Sequence, residues 1–349
     1  MKKFFVIALA MLSLSLVSCN KDKDKEEKVD LTELNNLIER CEALVDGAKL
    51  TVYTQNSIDA FKQVIADVKA ASADAKKQTT VSSLLARLKD AKVTFEDSAV
   101  GGVKNSDTIF KLSFDEGAGT TLKTEGKYEW TATLEKGAVE LFPDTKLPEF
   151  VDGKIGKALH FADASHLSIK DYVATAVTGL GEFSISCWVK PDELYVHNYI
   201  ISLNSWHNWK FQTQEGGKPF FTFATDKGIT DMDNETDGSV KVGQWTHLAV
   251  SWSNTTGDIN MYVNGVLTKT WLGTQHDGKH GVGSKLAAIE GENVEIAIGS
   301  DETINMKRGA DNAEIKTWDA YFKGAIDELA VYSVALTQGQ VTKLYNDAL

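Results

Sequence analysis

The apolar residues of this 349-residue chain change their spacing near residue 100, and that change constrains the fold more than any other feature. Upstream they recur every third or fourth position; downstream they alternate. A helix gathers positions i, i+3, i+4 and i+7 on one face, whereas a strand turns successive side chains to opposite faces, so neither pattern can be buried by the other element. The chain must therefore form a helical unit followed by a sheet unit. Its length allows a core for each, and 42% hydrophobic against 25% charged residues is the balance of a folded protein.

Three helical stripes lie between residues 30 and 97. The first is Leu31, Leu34, Leu37, Ile38, Cys41, Leu44 and Val45, with Asp30 and Glu33 at capping-box spacing and Gly47 as a stop. The second, from about Asn56 to Ala71, carries Ile58, Phe61, Val64, Ile65 and Val68; the third runs from Val81 through Leu84, Leu88 and Ala91 to Phe95. Short connections predict an up-down-up three-helix bundle. No His, Trp or carboxylate cluster interrupts the stripes, so residues 30–97 are expected to be a spacer or protein-contact module, followed by a Gly- and Ser-containing linker at 98–106.

The N-terminus is a targeting segment. Lys2 and Lys3 precede an apolar run, Phe4 to Leu16, that is too short to span a bilayer comfortably. It ends in Leu16-Val17-Ser18-Cys19, which resembles the lipobox of bacterial lipoproteins. That resemblance implies removal of residues 1–18 and lipidation of Cys19, whose acyl chains would anchor the protein to a membrane without a spanning helix. Residues 19–29 are a mixed-charge run, expected to be a disordered tether. A charged run in this place resembles the surface-export signal of Bacteroidetes-type lipoproteins, implying an outer-membrane, cell-surface location. Loss of Lys2 and Lys3 takes the formal net charge from −12 to −14, which argues against nucleic acid as a partner. Cys41 and Cys187 fall in different units and are expected to be buried thiols.

From residue 107 to 349 the pattern reads as strands: Ile109–Phe114, Ala158–Ile169, Phe183–Lys190, Tyr199–Leu203, Trp209–Gln214, Pro219–Thr225, Trp245–Trp252, Ile259–Val263, Val294–Ile298 and Phe322–Tyr332. Short turns between many of them predict an all-β antiparallel sandwich. Six blocks in order, Gly153–Phe161, Phe183–Pro191, Gly243–Trp252, Met261–Gly265, Ala297–Ser300 and Tyr321–Tyr332, resemble the motifs of the laminin-G-like branch of the concanavalin A-like lectins and glucanases. The resemblance implies a jelly-roll sandwich, a fold that hosts lectins, hydrolases, lyases and adhesion modules alike.

The last block sets a puzzle, because Asp327 and Glu328 interrupt an otherwise apolar strand, and buried carboxylates are costly unless held. The family resemblance implies a structural Ca2+ there, held by Asp115, backbone oxygens of the turn at Gly156, and Asp327. The alternative is an Asp pair that stitches the two ends of the unit by hydrogen bonds alone.

Sugars are recognised by aromatic faces and planar polar side chains. Asn204, Trp206, His207, Asn208 and Trp209 crowd a predicted hairpin tip, and Tyr195 and His197 precede the same hairpin. Arg308, Asp311, Asn312 and Trp318 are further candidates on a long loop. The acidic run Asp231 to Gly238 is read as a solvated turn. Catalysis is not expected: the glutamate pair of the fold's glucanases is missing, since Glu290, Glu292 and Glu295 lack the intervening Asp, and two of the three alginate-lyase motifs are absent. The expected function is non-catalytic binding of extracellular glycan. A protein-adhesion module with envelope protein partners is the alternative, and a cryptic polysaccharide hydrolase or lyase comes third.

Overall fold

A computed structural model describes residues 29–46, 48, 50, 53–98, 101–234, 238–291, 294–301 and 321–349. The leader, Cys19, most of the tether, and the loop candidates Arg308, Asp311, Asn312 and Trp318 lie outside the described residues.

The N-terminal stripes form α1 (Thr32–Asp46), α2 (Gln55–Ala73) and α3 (Gln78–Asp97). They share one core in which Leu34, Ile38, Cys41, Phe61, Ile65, Val68, Leu88 and Phe95 are buried. Phe95 is sandwiched between Tyr53 and Phe61, with ring centroids 4.2 and 4.7 Å away. The expected Asp30–Glu33 box is replaced by a longer-range one. Asp30 Oδ1 accepts the Thr32 N–H at 2.9 Å, but the reciprocal partner is Gln78 of α3, whose Oε1 accepts the Asp30 N–H at 2.9 Å. Glu33 instead pairs with Lys89 at 3.4 Å.

Beyond them come β1 (Thr108–Leu112), β2 (Thr121–Lys123), β3 (Thr131–Glu135), β4 (Glu149–Asp152), β5 (Lys157–Phe161), β6 (His166–Ile169) and a single turn of helix, α4 (Ala174–Val177). Then follow β7 (Glu182–Pro191), β8 (His197–Leu203), β9 (Trp209–Gln214), β10 (Lys218–Thr225), β11 (Gly228–Asp233) and β12 (Thr246–Ser253). The chain closes with β13 (Ile259–Val263), β14 (Val266–Trp271), β15 (Ile296–Ile298), β16 (Gly324–Tyr332) and α5 (Gln338–Asn346). Among the described residues these strands make two eight-stranded antiparallel sheets. One has the order β14-β13-β12-β7-β16-β5-β4, with β1 also paired to β16; the other runs β11-β10-β9-β8-β15-β6-β3-β2. Apolar residues of alternate parity, such as Phe183, Ile185, Cys187 and Val189 from the first sheet and Trp209, Phe211, Phe221 and Phe223 from the second, fill the space between them. No helix among the described residues is long and apolar enough to cross a membrane.

Three differences from the sequence reading have physical causes. The expected strand Ala158–Ile169 is two strands in different sheets, β5 and β6, because Asp163 and Ala164 adopt left-handed backbone angles, φ 51° and 58°, and turn the chain across the sandwich. The acidic run at Asp231 is partly strand: Asp231 and Asp233 sit on β11, an edge of the second sheet. Helix α5, not foreseen, is announced by Thr337 and Gln340, which form a complete capping box. It covers the outer face of the first sheet, where Leu336 and Val341 pack on Ala249, Tyr262, Ala330 and Tyr332, and Tyr345 stacks on Trp188 at 5.5 Å.

Candidate functional site

Strand β16 carries a β-bulge that begins at its two carboxylates. Asp327 pairs with Trp188 and Ala330 with Ser186, so the chain inserts one extra residue between them. Glu328 takes the left-handed angle (φ 49°), which lets Ile326 and Leu329, three apart in sequence, both point into the core while Asp327 faces outward. Glu328 swings aside to Lys111, with Oε2 2.5 Å from Nζ.

Asp327 is fully buried. Its Oδ2 accepts the N–H groups of Lys154 (2.8 Å) and Ile155 (3.0 Å), and its Oδ1 that of Glu328 (2.7 Å). Burial pushes this carboxyl up to about 7, against the pull of those donors. Asp115 meets the same turn from the other side, its Oδ1 accepting the Lys157 N–H at 2.8 Å. Thus the structure does bring Asp115, Gly156 and Asp327 to one turn. Their arrangement nonetheless does not fit a calcium shell. Calcium needs six to eight oxygens turned toward it, whereas the turn offers these carboxylates N–H groups, and the second Asp115 oxygen lies 3.9 Å from Arg40 Nε. No three His, Cys, Asp or Glu side chains converge as a metal ligand set among the described residues.

Gly156 is required for a different reason. Its φ is +53°, and a Cβ there would stand 2.0 Å from Asp115 Oδ1. We expect Gly156→Val to cost about 2 kcal/mol or more from the left-handed backbone and the displaced Asp115 hydrogen bond, read as a lowered Tm.

The hairpin tip between β8 and β9 divides its residues between support and surface. Asn204 enters the left-handed region (φ 51°) and leads into a 3-10 turn, Ser205–His207. It is buried, and its Nδ2 donates to Asn208 Oδ1 (3.1 Å) and to the Glu290 carbonyl (3.0 Å). Asn208, also buried, donates to the carbonyls of Ala287 and Ala288 at 3.0 and 3.2 Å. These two amides are struts that fix the tip and have no face left for a ligand. Trp209 is fully buried between the sheets, 5.2 Å from Phe183, because strand alternation turns it inward. Of the tip residues named from the sequence, Trp206 (40% exposed) and His207 remain at the surface.

Tyr195 and His197 belong to the other end of the hairpin. His197 pairs with Gln214 and Leu203 with Trp209, so the length of β8, roughly 20 Å, separates them from Trp206. Tyr195 donates to Glu193 at 2.6 Å and packs on Tyr321 at 5.3 Å; burial pushes its phenol far up. His197 is half-buried, edge-on to Tyr199. The sequence grouped these residues by proximity along the chain, and the hairpin sends them to opposite ends.

Sequence reasoning passed over Lys210. It sits beneath the tip, fully buried, with Nζ 3.2 Å from the centroid of the Trp206 ring and donating to the Tyr199 hydroxyl at 2.8 Å. Burial pushes its ammonium down to about 7, opposed by Asp301 and Asp231. Lys210 belongs to a row, polar except at Ala297, that crosses the outer face of the second sheet in register, from Thr121 through Thr133, Ser168, Ala297, Ser202, Lys210 and Thr222 to Asp231. Beside it Gln212 is fully buried, and neither end of its amide has a hydrogen-bond partner. The signal was present in Trp209-Lys210-Phe211-Gln212, whose strict alternation assigns Lys210 and Gln212 to the face opposite the core.

Farther along the same face Glu295 is buried, accepting from Ser168 Oγ at 2.5 Å and lying 3.5 Å from Lys170 Nζ. Burial alone would raise its pKa, but His166, Ser168 and Lys170 together hold it low. Glu295 is thus a member of an ion-pair cluster with His166 and Lys170.

A family model described as the concanavalin A-like lectin/glucanases superfamily matches residues 163–342, slightly more than half of the chain. The search of curated proteins found no match. Among solved structures, domain 4 of AbnA, an extracellular arabinanase from Geobacillus stearothermophilus, in complex with arabinotriose, is 25% identical; the alignment covers 69% of this chain and 98% of that one, with a TM-score of 0.46. The receptor binding domain of botulinum neurotoxin mosaic serotype C/D is 13% identical over 69% of this chain and 51% of its own, with a TM-score of 0.46. The binding domain of botulinum neurotoxin DC in complex with SialylT gives 13%, 70%, 52% and 0.45. The chain thus spans about half the length of these toxin domains. With two antiparallel sheets packed face to face and a family model matched from β6 into α5, this chain belongs to the concanavalin A-like lectin/glucanases superfamily.

Proposed function

We propose that this protein binds extracellular carbohydrate without catalysis, at the loop end of the sandwich that carries Trp206. One observation carries the reading: the Trp206 indole is 40% exposed, yet one of its faces is seated on the Lys210 ammonium, so the platform is held in place before a sugar arrives. His207 beside it supplies an exposed polar side chain, and Asn204 and Asn208 keep the tip rigid. In the same proposal Cys19 carries the lipid anchor, the protein is displayed on the outer membrane, and the helical bundle holds the sandwich away from the membrane. Many copies on one surface would raise the effective concentration, so weak single sites suffice.

A glycan array probed with residues 20–349 and with the Trp206→Ala variant tests this. Binding by the wild type and its loss in the variant is the expected result; absence of binding to any glycan overturns the reading. A second reading, adhesion to an envelope protein, is favoured by Val266 and Leu267, exposed at 61% and 42% on the edge strand β14. That reading expects Val266→Lys to abolish capture of a protein partner while leaving glycan binding unchanged.

A further inference from the structure

The helical unit and the sandwich meet through a cluster of charges. Arg40 lies off the apolar stripe of α1, between Leu37 and Cys41, and Lys92 projects from α3 between Leu88 and Phe95. Both reach one carboxylate of the sandwich. Arg40 Nη2 donates to Glu125 Oε1 at 2.9 Å, and Lys92 Nζ to Glu125 Oε2 at 2.8 Å, so each oxygen takes one cation. Arg40 also donates to Ser113 Oγ at 3.0 Å, and its Nε lies 3.9 Å from Asp115 Oδ2.

Glu125 is a fixed anchor for these contacts. Its backbone exchanges two hydrogen bonds with Lys111 of β1, at 2.7 and 2.8 Å, and Lys111 in turn holds Glu328 at the bulge of β16. Burial would raise the Glu125 carboxyl, but Lys92, Lys111 and Arg40 pull it down to about 2. Burial likewise opposes the charge on Arg40, and Glu125, Asp115 and Glu116 outweigh it. The linker between the units is tied as well: Asp97 Oδ1 at the end of α3 accepts the Asn105 N–H at 2.6 Å.

We propose that Arg40 is the built-in cation of this sandwich. It supplies the positive charge beside Asp115 that the family resemblance would assign to calcium, and with Lys92 it joins the helical unit to the sandwich as one cooperative unit. Two features of the site support this. The free side of Asp115 faces a guanidinium, and Asp327 is satisfied by backbone N–H groups.

Scanning calorimetry of residues 20–349 tests the proposal, in EDTA and in millimolar calcium, for the wild type, for Arg40→Met with Lys92→Met, and for Glu125→Gln. The wild type should unfold in one transition at a Tm indifferent to calcium and EDTA. The double variant and Glu125→Gln should each separate a helical transition from a sandwich transition, with the sandwich Tm lowered. Hydrogen exchange supplies the same answer where a variant unfolds broadly: in the wild type, α1 and α3 should exchange with the same protection as β1. A wild-type Tm raised by calcium overturns the proposal, and so does one transition at an unchanged Tm in both variants.

Discussion

Replacing Asp327 by alanine should destabilise the sandwich by about 3 kcal/mol or more, the largest effect expected from any single polar substitution in this chain. Three backbone N–H groups, those of Lys154, Ile155 and Glu328, converge on this one carboxylate. Alanine leaves all three without an acceptor at a site closed to water, and each orphaned donor costs about 1–3 kcal/mol. Denaturant titration at constant m-value is the measurement; a loss below 1 kcal/mol would mean that water reaches the turn. The site also sets a pH dependence. Burial raises the carboxyl to about 7 from 3.8, so the folded state holds this proton more tightly than the unfolded chain does. The resulting advantage is complete below pH 3.8 and is lost as pH rises through about 7. Asp327→Asn, which does not titrate, should lack that slope in a plot of stability against pH.

Removing the Trp206 ring should weaken glycan binding by about 30-fold or more, the penalty of losing an aromatic contact worth about 2 kcal/mol. Stability should change less than at a core position, because the ring is 40% exposed and lies outside the sandwich core, where it covers Lys210. Trp209→Ala should do the reverse: its ring is fully buried, so its loss lowers stability by about 3–5 kcal/mol and affects binding only through the fold. Measuring binding and unfolding on both variants therefore separates two tryptophans that are three residues apart in sequence.

The sequence read the middle of each sheet well and its margins poorly. Strands β7, β9, β10, β12 and β16 were legible because two buried faces or strict alternation leave a strong pattern. Four of the strands that were missed, β2, β4, β11 and β14, are the ends of the two sheets. An edge strand is half exposed, as the sparse burial of β2, β4 and β14 shows, and so carries little apolar periodicity. The bulge at Glu328 was visible as an anomaly, two carboxylates inside an apolar strand, but its resolution depended on register with β7.

For the candidate site the division is similar. Residue type and turn position were enough to single out the tip from Asn204 to Trp209, whereas the alternation along β9 that puts Lys210 opposite the core was present but passed over. Which tip residues face solvent was decided by hydrogen bonds to Ala287, Ala288 and Glu290, some eighty positions away, which draw Asn204 and Asn208 inward. Distance along the chain likewise joined Tyr195 to Trp206, and the length of β8 parted them.

By itself the sequence determined the order of the units, the two periodicities and the composition of the core, because these follow from local geometry and from the partition of apolar surface. Only the tertiary structure decided that Glu125 receives Arg40 and Lys92, and that Asp327 is satisfied by the turn at residues 154 and 155. Those are contacts between residues tens to more than a hundred positions apart, and a charge in a sequence does not name its partner until the chain has folded around it.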